Sequence, residues 1–356
     1  MLHNHNLTTH HNFTIRSSSM ARSRSQVAVQ GFVLALLHLF ALMLGFTLDA
    51  SAMDYTYTPI VVPGGIDTTA YGINNAGQVV GSVDTTNGTQ GFMDSGGSFT
   101  TFAAPGAVQT TALGINNTGQ IVGSAFDGTN PTQGFLYSGG TFTPINNPTG
   151  TGQFLQASGI NDAGQIVGTS ETTTGSFTGF QGFLLRPDGT FTFLNVPGST
   201  STFANGINNA GQIVGRFYDT SSQHGFLYSG GVYSPFNVPG SINSVTEITG
   251  INNAGQLVGT FYDGTTTHSF LYSNNTFSII NMPGSQLTQV SGINDAGQIV
   301  GTFFLSAGGT EGFIASPVPL PASLWFFASG LAGLSRLTRS RKGCGRQTSI
   351  VSKTNP

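Results

Sequence analysis

The sequence predicts an all-β fold arranged as a closed ring of repeats, a six-bladed β-propeller of four-stranded blades. Three observations carry that expectation. The first is composition: of 356 residues 51 are Gly and 28 are Phe, and only 7% are charged. Such a chain is rich in turn and strand formers and poor in helix formers. Its 38% hydrophobic content is too high for a disordered polar chain. The second is repetition: a ten-residue block recurs six times at spacings of 42 to 47 residues, a period typical of four-stranded propeller blades. The third lies at the ends of the array, where the last repeat lacks its fourth strand and a spare one precedes the first.

The chain opens with an apparent export signal. Residues 1–26 are polar with basic Arg16, Arg22 and Arg24, and residues 27–48 are almost wholly apolar. Ala50-Ser51-Ala52 then supplies a small-x-small site. Basic, apolar and small-residue regions in that order read as a secretory signal peptide over 1–52, cleaved after Ala52. Translation from Met20 would give a basic region of more usual length. The competing reading is an uncleaved membrane anchor, since the apolar run is long enough to span a bilayer.

The repeat domain is assigned to 53–315. Its block, Gly72-Ile-Asn-Asn-Ala-Gly-Gln-Val-Val-Gly81, recurs from Gly114, Gly159, Gly206, Gly250 and Gly292. In each unit strand A ends on Gly-Ile-Asn. The Asn opens a type I turn and the following Gly closes it with positive φ. Strand B is the Gln-Ile-Val-Gly segment, and strand C carries Gly-Phe-Leu-Tyr at Gly134 and Gly225. A Ser-Gly-Gly or Asn-Asn turn leads to strand D, which ends on a Pro-Gly pair at Pro63, Pro105, Pro197, Pro239 and Pro283. The sixth unit stops after strand C (Gly312-Phe313-Ile314), while Tyr55–Val62 matches the D pattern ahead of the first unit. Pairing these two ends closes a ring and removes two open sheet edges. A right-handed β-solenoid is the runner-up architecture.

Two resemblances follow from these motifs. The block, together with His224-Gly225-Phe226 and His268-Ser269-Phe270 at the start of strand C, resembles the HAF family of bacterial extracellular repeats over Tyr55–Ile314. That resemblance implies an exported repeat protein and no particular activity. At the other end, Val318-Pro319-Leu320-Pro321, an apolar stretch over 322–334, and Arg336, Arg339, Arg341 and Lys342 form a three-part order. It resembles the PEP-CTERM sorting signal of Gram-negative bacteria, here over 316–342. The resemblance implies a C-terminal transmembrane helix cut near the Pro-x-Pro by an exosortase, with signal peptidase acting at Ala50 and Ala52. Two departures stand out: Leu320 replaces the usual Glu, and a polar tail, 343–356, follows the basic cluster. An ordinary uncut anchor is the alternative.

Chemistry-bearing motifs are scarce. The lone Cys344 excludes an internal disulfide, and both lysines, Lys342 and Lys353, lie near the C-terminus. No cofactor motif, phosphate loop, G-x-S-x-G or H-E-x-x-H is present, and no catalytic or metal-binding set is assigned. His224 and His268 share a position held elsewhere by Gln90, Gln133, Gln181 and Glu311, which reads as a hydrogen-bonding strand start. Asp84, Asp127, Glu171, Asp219 and Asp263 follow strand B one per loop, suited to Asx turns rather than calcium. Phe217-Tyr218, Phe261-Tyr262 and Tyr233 read first as rings that fill the space between blades, with exposed rings that stack on sugars as the alternative. Residues 54–318 hold 13 acids against Arg186 and Arg216, a formal charge of −11 that argues against nucleic acid as a partner.

The expected function is therefore a non-enzymatic cell-surface or matrix scaffold associating with exopolysaccharide. The alternative is a secreted glycan hydrolase or lyase with acids at the ring mouth. Acids from several blades around one funnel would favour the enzyme, and a mouth of Asn, Thr and Gly the scaffold.

Overall fold

The computed structural model describes residues 54–148, 154–174 and 177–318. Within them the chain is antiparallel β-sheet, with one 3-10 turn over Ile242–Ser244 and no α-helix. The spare strand is β1 (Tyr55–Ile60). The first repeat forms β2 (Thr68–Ile73), β3 (Val79–Thr85), β4 (Gly88–Ser95) and β5 (Ser98–Phe102). The second forms β6 (Gln109–Ile115), β7 (Ile121–Phe126), β8 (Gln133–Ser138) and β9 (Thr141–Ile145). Next come β10 (Leu155–Ile160), β11 (Ile166–Thr174), β12 (Phe177–Leu185) and β13 (Phe191–Leu194). The fourth repeat gives β14 (Ser201–Ile207), β15 (Ile213–Tyr218), β16 (Gln223–Ser229) and β17 (Val232–Phe236). The fifth gives β18 (Thr246–Ile251), β19 (Leu257–Tyr262), β20 (Thr267–Ser273) and β21 (Thr276–Ile280). The sixth has three strands, β22 (Leu287–Ile293), β23 (Ile299–Phe304) and β24 (Thr310–Pro317).

Turn chemistry sets these boundaries. The Asn74 carbonyl accepts from Gly77 N–H at 3.0 Å, with Gly77 at φ +77°. The pattern recurs in every repeat, because only Gly takes that conformation cheaply. At four of the five C–D turns both central residues have positive φ, as at Gly96 and Gly97 or Asn274 and Asn275, the two-residue hairpin that matches strand twist. The third repeat turns instead through Pro187-Asp188 with Gly189 alone at positive φ.

The sheets depart from the expected six separate blades. Four are separate four-stranded sheets: β10–β13, β14–β17, β18–β21, and β1-β24-β23-β22. The first two repeats share one eight-stranded sheet, joined where β4 meets β6 in a single parallel pair, Thr89↔Gln109. The cause is local. β3 and β4 run into a tight turn at Thr85↔Gly88. Gly88 lies against the Val108 carbonyl, and that carbonyl accepts from Thr89 N–H at 3.2 Å.

The spare strand closes the molecule as a β-propeller. β1 pairs antiparallel with β24 from Tyr55↔Pro317 to Ile60↔Gly312. The core lies between consecutive sheets. Ile60 and Val62 pack with Ala70, Ile73, Phe92 and Val300, joining the last repeat to the first. One Phe per strand C fills each sheet's centre; Phe92, Phe183, Phe226, Phe270 and Phe313 are fully buried. The expected flanking helices, signal and membrane, lie outside the described residues. Among the described residues no helix is long and apolar enough to cross a membrane.

Candidate functional site

The six Gly-Ile-Asn turns meet around the axis, on what we term the turn face, and build two hydrogen-bonded rings. In the inner ring each buried first Asn donates through Nδ2 to the carbonyl of the next repeat's Asn. The chain of bonds runs Asn74, Asn116, Asn161, Asn208, Asn252, Asn294 and back to Asn74, at 3.0 to 3.2 Å. The Oδ1 of the same side chain holds its own turn, as Asn208 does by accepting from Ala210 and Gln212 N–H. Just below, Gly72, Gly114, Gly159, Gly206, Gly250 and Gly292 crowd the axis, where a Cβ on one would press on the next.

The outer ring uses the second residue of each turn: Asn75, Asn117, Asp162, Asn209, Asn253 and Asp295. Each backbone N–H donates to the Oδ1 of its neighbour at 2.8 to 2.9 Å, and the circuit closes from Asp295 to Asn75. The two Asp sit three repeats apart. Asp162 Oδ2 accepts the amides of Asn117 (2.8 Å) and Asn209 (2.6 Å). Asp295 Oδ2 does the same for Asn253 (2.8 Å) and Asn75 (2.6 Å). Burial alone would raise both carboxyls, but these amide and backbone bonds outweigh it and leave both below the ordinary carboxylate range.

At the opposite, loop face the axis opens into a shallow mouth walled by Tyr71, Leu113, Ser158, Asn205, Thr249 and Ser291. Strand alternation places Thr69, Thr111, Gln156, Phe203, Glu247 and Gln289 on the same face of strand A, nearer the opening. No residue type at these two positions is shared by more than two repeats. The core-facing position just before them is nearly constant: Thr68, Thr110, Thr202, Thr246 and Thr288 in five repeats, with Leu155 in the other. Variation at both positions makes this opening an asymmetric part of the axis. Here Arg216 pairs with Glu247 of the following repeat and lies 4.5 Å from the centroid of Phe203. Asn205 Nδ2 donates to Glu247 Oε1 at 3.0 Å. The pair is not visible in the sequence, because only the ring brings residues 31 apart together.

The other candidates resolve locally. Asp127, Asp219 and Asp263 form Asx turns, each accepting two backbone N–H groups of its own loop through Oδ1. The side chains of Asn130 and Ser221 together with these backbone bonds hold Asp127 and Asp219 below the ordinary carboxylate range, and the backbone bonds with the Thr265 and His268 side chains do the same for Asp263. His268 Nε2 lies 2.8 Å from Asp263 Oδ2, and His224 Nε2 lies 3.2 Å from Asp219 Oδ2. Their rings pack on Phe261 and Phe217. Phe217 is buried and Tyr233 half-buried, whereas Tyr218 is 37% exposed. Among the described residues no group of three or more His, Cys, Asp and Glu is placed to hold a metal ion. Of the sorting residues, Val318 is described: its N–H donates to the Asp54 carbonyl at 2.8 Å, extending the β1–β24 ladder. Ala50, Ala52, Pro319, Leu320, Pro321, Arg339, Arg341 and Lys342 lie outside the described residues.

No protein-family model and no curated protein matches the chain. Solved structures do resemble it. AofleA from Arthrobotrys oligospora shares 10% identity at a TM-score of 0.50, covering 74% of this chain and 90% of that one. Virginiamycin B lyase from Staphylococcus aureus shares 12% at 0.44, over 74% and 100%. A variant of Aleuria aurantia lectin shares 14% at 0.46, over 74% and 99%. At such identities the likeness is one of fold.

Proposed function

We propose that the chain is an exported, non-enzymatic propeller that attaches to extracellular polysaccharide or other matrix. In this reading the eight-stranded sheet is two blades bridged by one residue pair, giving six blades in all. The observation that carries it is the bonding at the mouth. Asp162 and Asp295 are both spent as acceptors for neighbouring amides. Glycoside hydrolysis needs a carboxyl with a raised pKa as acid beside a second carboxylate. Among the described residues, each carboxyl whose pKa is displaced is displaced downward. Glu247, the one acid at the loop-face opening, is neutralised by Arg216.

The ends of the domain support the exported reading. Tyr55 lies opposite Pro317, so the chain enters and leaves at one point on the turn face. Cleavage by signal peptidase after Ala52 and exosortase sorting at Val318–Pro321 would attach the propeller there. The loop face would then point outward. The test is a glycan array with the purified protein, run beside a reducing-end assay on the same glycans. Binding without turnover is expected. Turnover of any glycan overturns the non-enzymatic reading, and absence of all binding overturns the polysaccharide reading.

A further inference from the structure

Four aromatic rings on the loop face form a strip that the fold does not need. Phe154, Phe180, Phe203 and Tyr218 follow one another at centroid distances of 5.7, 5.3 and 5.9 Å. All four are partly exposed, and none belongs to the hydrophobic clusters between the sheets. The core of these two repeats is already filled by Phe183 and Phe226. The strip is also a local break in the repeat. At the position of Phe180 the other repeats carry Thr89, Thr132, Gln223, Thr267 and Thr310, and at that of Phe203 they carry Thr, Gln or Glu. Polar residues therefore satisfy the scaffold at both places, and the aromatic ones serve something else.

Polar groups border the strip. On one side an open cavity of about 600 Å³ lies between Phe180 and the Asn195–Ser201 link. At the other end Arg216 covers Phe203 and pairs with Glu247, which also accepts from Asn205. Apolar faces flanked by carboxamide, carboxylate and hydroxyl groups match a sugar ring, which offers C–H faces and hydroxyl edges together. The formal charge of −11 over residues 54–318 repels polyanions, and the nearby cation is already paired.

We infer that the Phe154–Phe180–Phe203–Tyr218 strip, with Asn205 and Glu247 at its end, is a binding site for neutral polysaccharide. The inference rests on the polysaccharide-binding reading above and assigns it a place and a ligand class. The test is affinity electrophoresis through gels holding dextran, galactomannan, xyloglucan or acidic alginate. The variants are Phe180→Thr, the residue four other repeats use there, and Tyr262→Ala, which removes the ring equivalent to Tyr218 one repeat later. At least one neutral polymer should retard the wild type. Phe180→Thr should weaken that binding at least tenfold while melting within a few degrees of wild type, and Tyr262→Ala should stay within twofold. Unchanged binding by Phe180→Thr overturns the site and leaves the functional reading standing. Retardation by alginate alone overturns the ligand class, and retardation by none of the four overturns both site and reading.

Discussion

Replacing Asn208 by Ala removes one link of the inner ring and should cost far more than one surface hydrogen bond. The side chain is 4% exposed. Its Oδ1 holds Ala210 and Gln212 N–H at 3.1 and 3.0 Å, and its Nδ2 reaches Gln212 Oε1 at 2.8 Å and the Asn252 carbonyl at 3.1 Å. Truncation leaves the Ala210 and Gln212 N–H groups without a partner, at about 1–3 kcal/mol each when water is excluded, while the Asn252 carbonyl keeps its turn bond from Gly255 N–H. The axial mouth admits water on one side, so the lower end applies and the loss should be about 2–3 kcal/mol. At roughly 2–4 °C per kcal/mol for a domain of this size, the melting temperature should fall by about 4–12 °C. Differential scanning calorimetry reads it directly. Asn209→Ala, in the exposed outer ring, should cost about 1 kcal/mol or less. Because the ring is closed, Asn74→Ala should cost as much as Asn208→Ala although it lies in the first repeat. If Asn208→Ala melted within 2 °C of wild type, the reasoning that the ring ties the repeats together would be refuted.

Other consequences are as direct. Gly215→Ala should lower the unfolding free energy read from urea titration by about 3 kcal/mol, because a Cβ there would overlap the Phe203 carbonyl and the Phe226 ring. Gly230→Ala, in open space at φ +58°, should cost only about 1–2 kcal/mol. Asp162 and Asp295 are held below their ordinary pKa by hydrogen bonds that exceed the effect of burial. Their stabilisation is thus present above the unfolded value of about 3.9 and is lost as pH falls through the lower folded value. A urea series should show stability flat above about pH 5 and declining below about pH 4. The Asp162→Asn, Asp295→Asn double variant should decline less steeply, and an identical acid profile would remove these carboxylates from the account.

Much of this fold was legible because its turns are written in residues with few conformational choices. Asn followed by Gly at the A–B turn, paired Gly at the C–D turn and Pro-Gly after strand D fixed strand ends to within a residue or two. The displaced D strand was visible for the same reason: Tyr55–Val62 carries the D pattern on the wrong side of the first block. The contacts between repeats were not legible. The Asn74 and Asn116 side chains look like turn formers in sequence, and only neighbouring copies reveal that each also reaches across to the next. The Asn/Asp choice at Asp162 and Asp295 is plain to read, but its use as two shared acceptors needs the closed circle. Phe217 and Tyr233 fill space between repeats, the first of the two readings their sequence allows, because alternation along β15 turns Phe217 into the core beside His224. The strip at Phe154, Phe180 and Phe203 was overlooked because its members come from different strands. A position-by-position comparison of the six repeats, asking where a polar consensus becomes aromatic, would have found two of the three.

The central claim is that strand exchange closes the ring, and deleting Asp54–Gly64 from the full chain tests it most directly. The deletion removes the whole β1 ladder along β24 and the buried Ile60 and Val62. At about 1.5–3 kcal/mol per buried apolar side chain, and with β24 left as an open edge, calorimetry should show a melting temperature tens of degrees lower or no cooperative transition. A deletion variant that melted with the full-length chain would contradict the account.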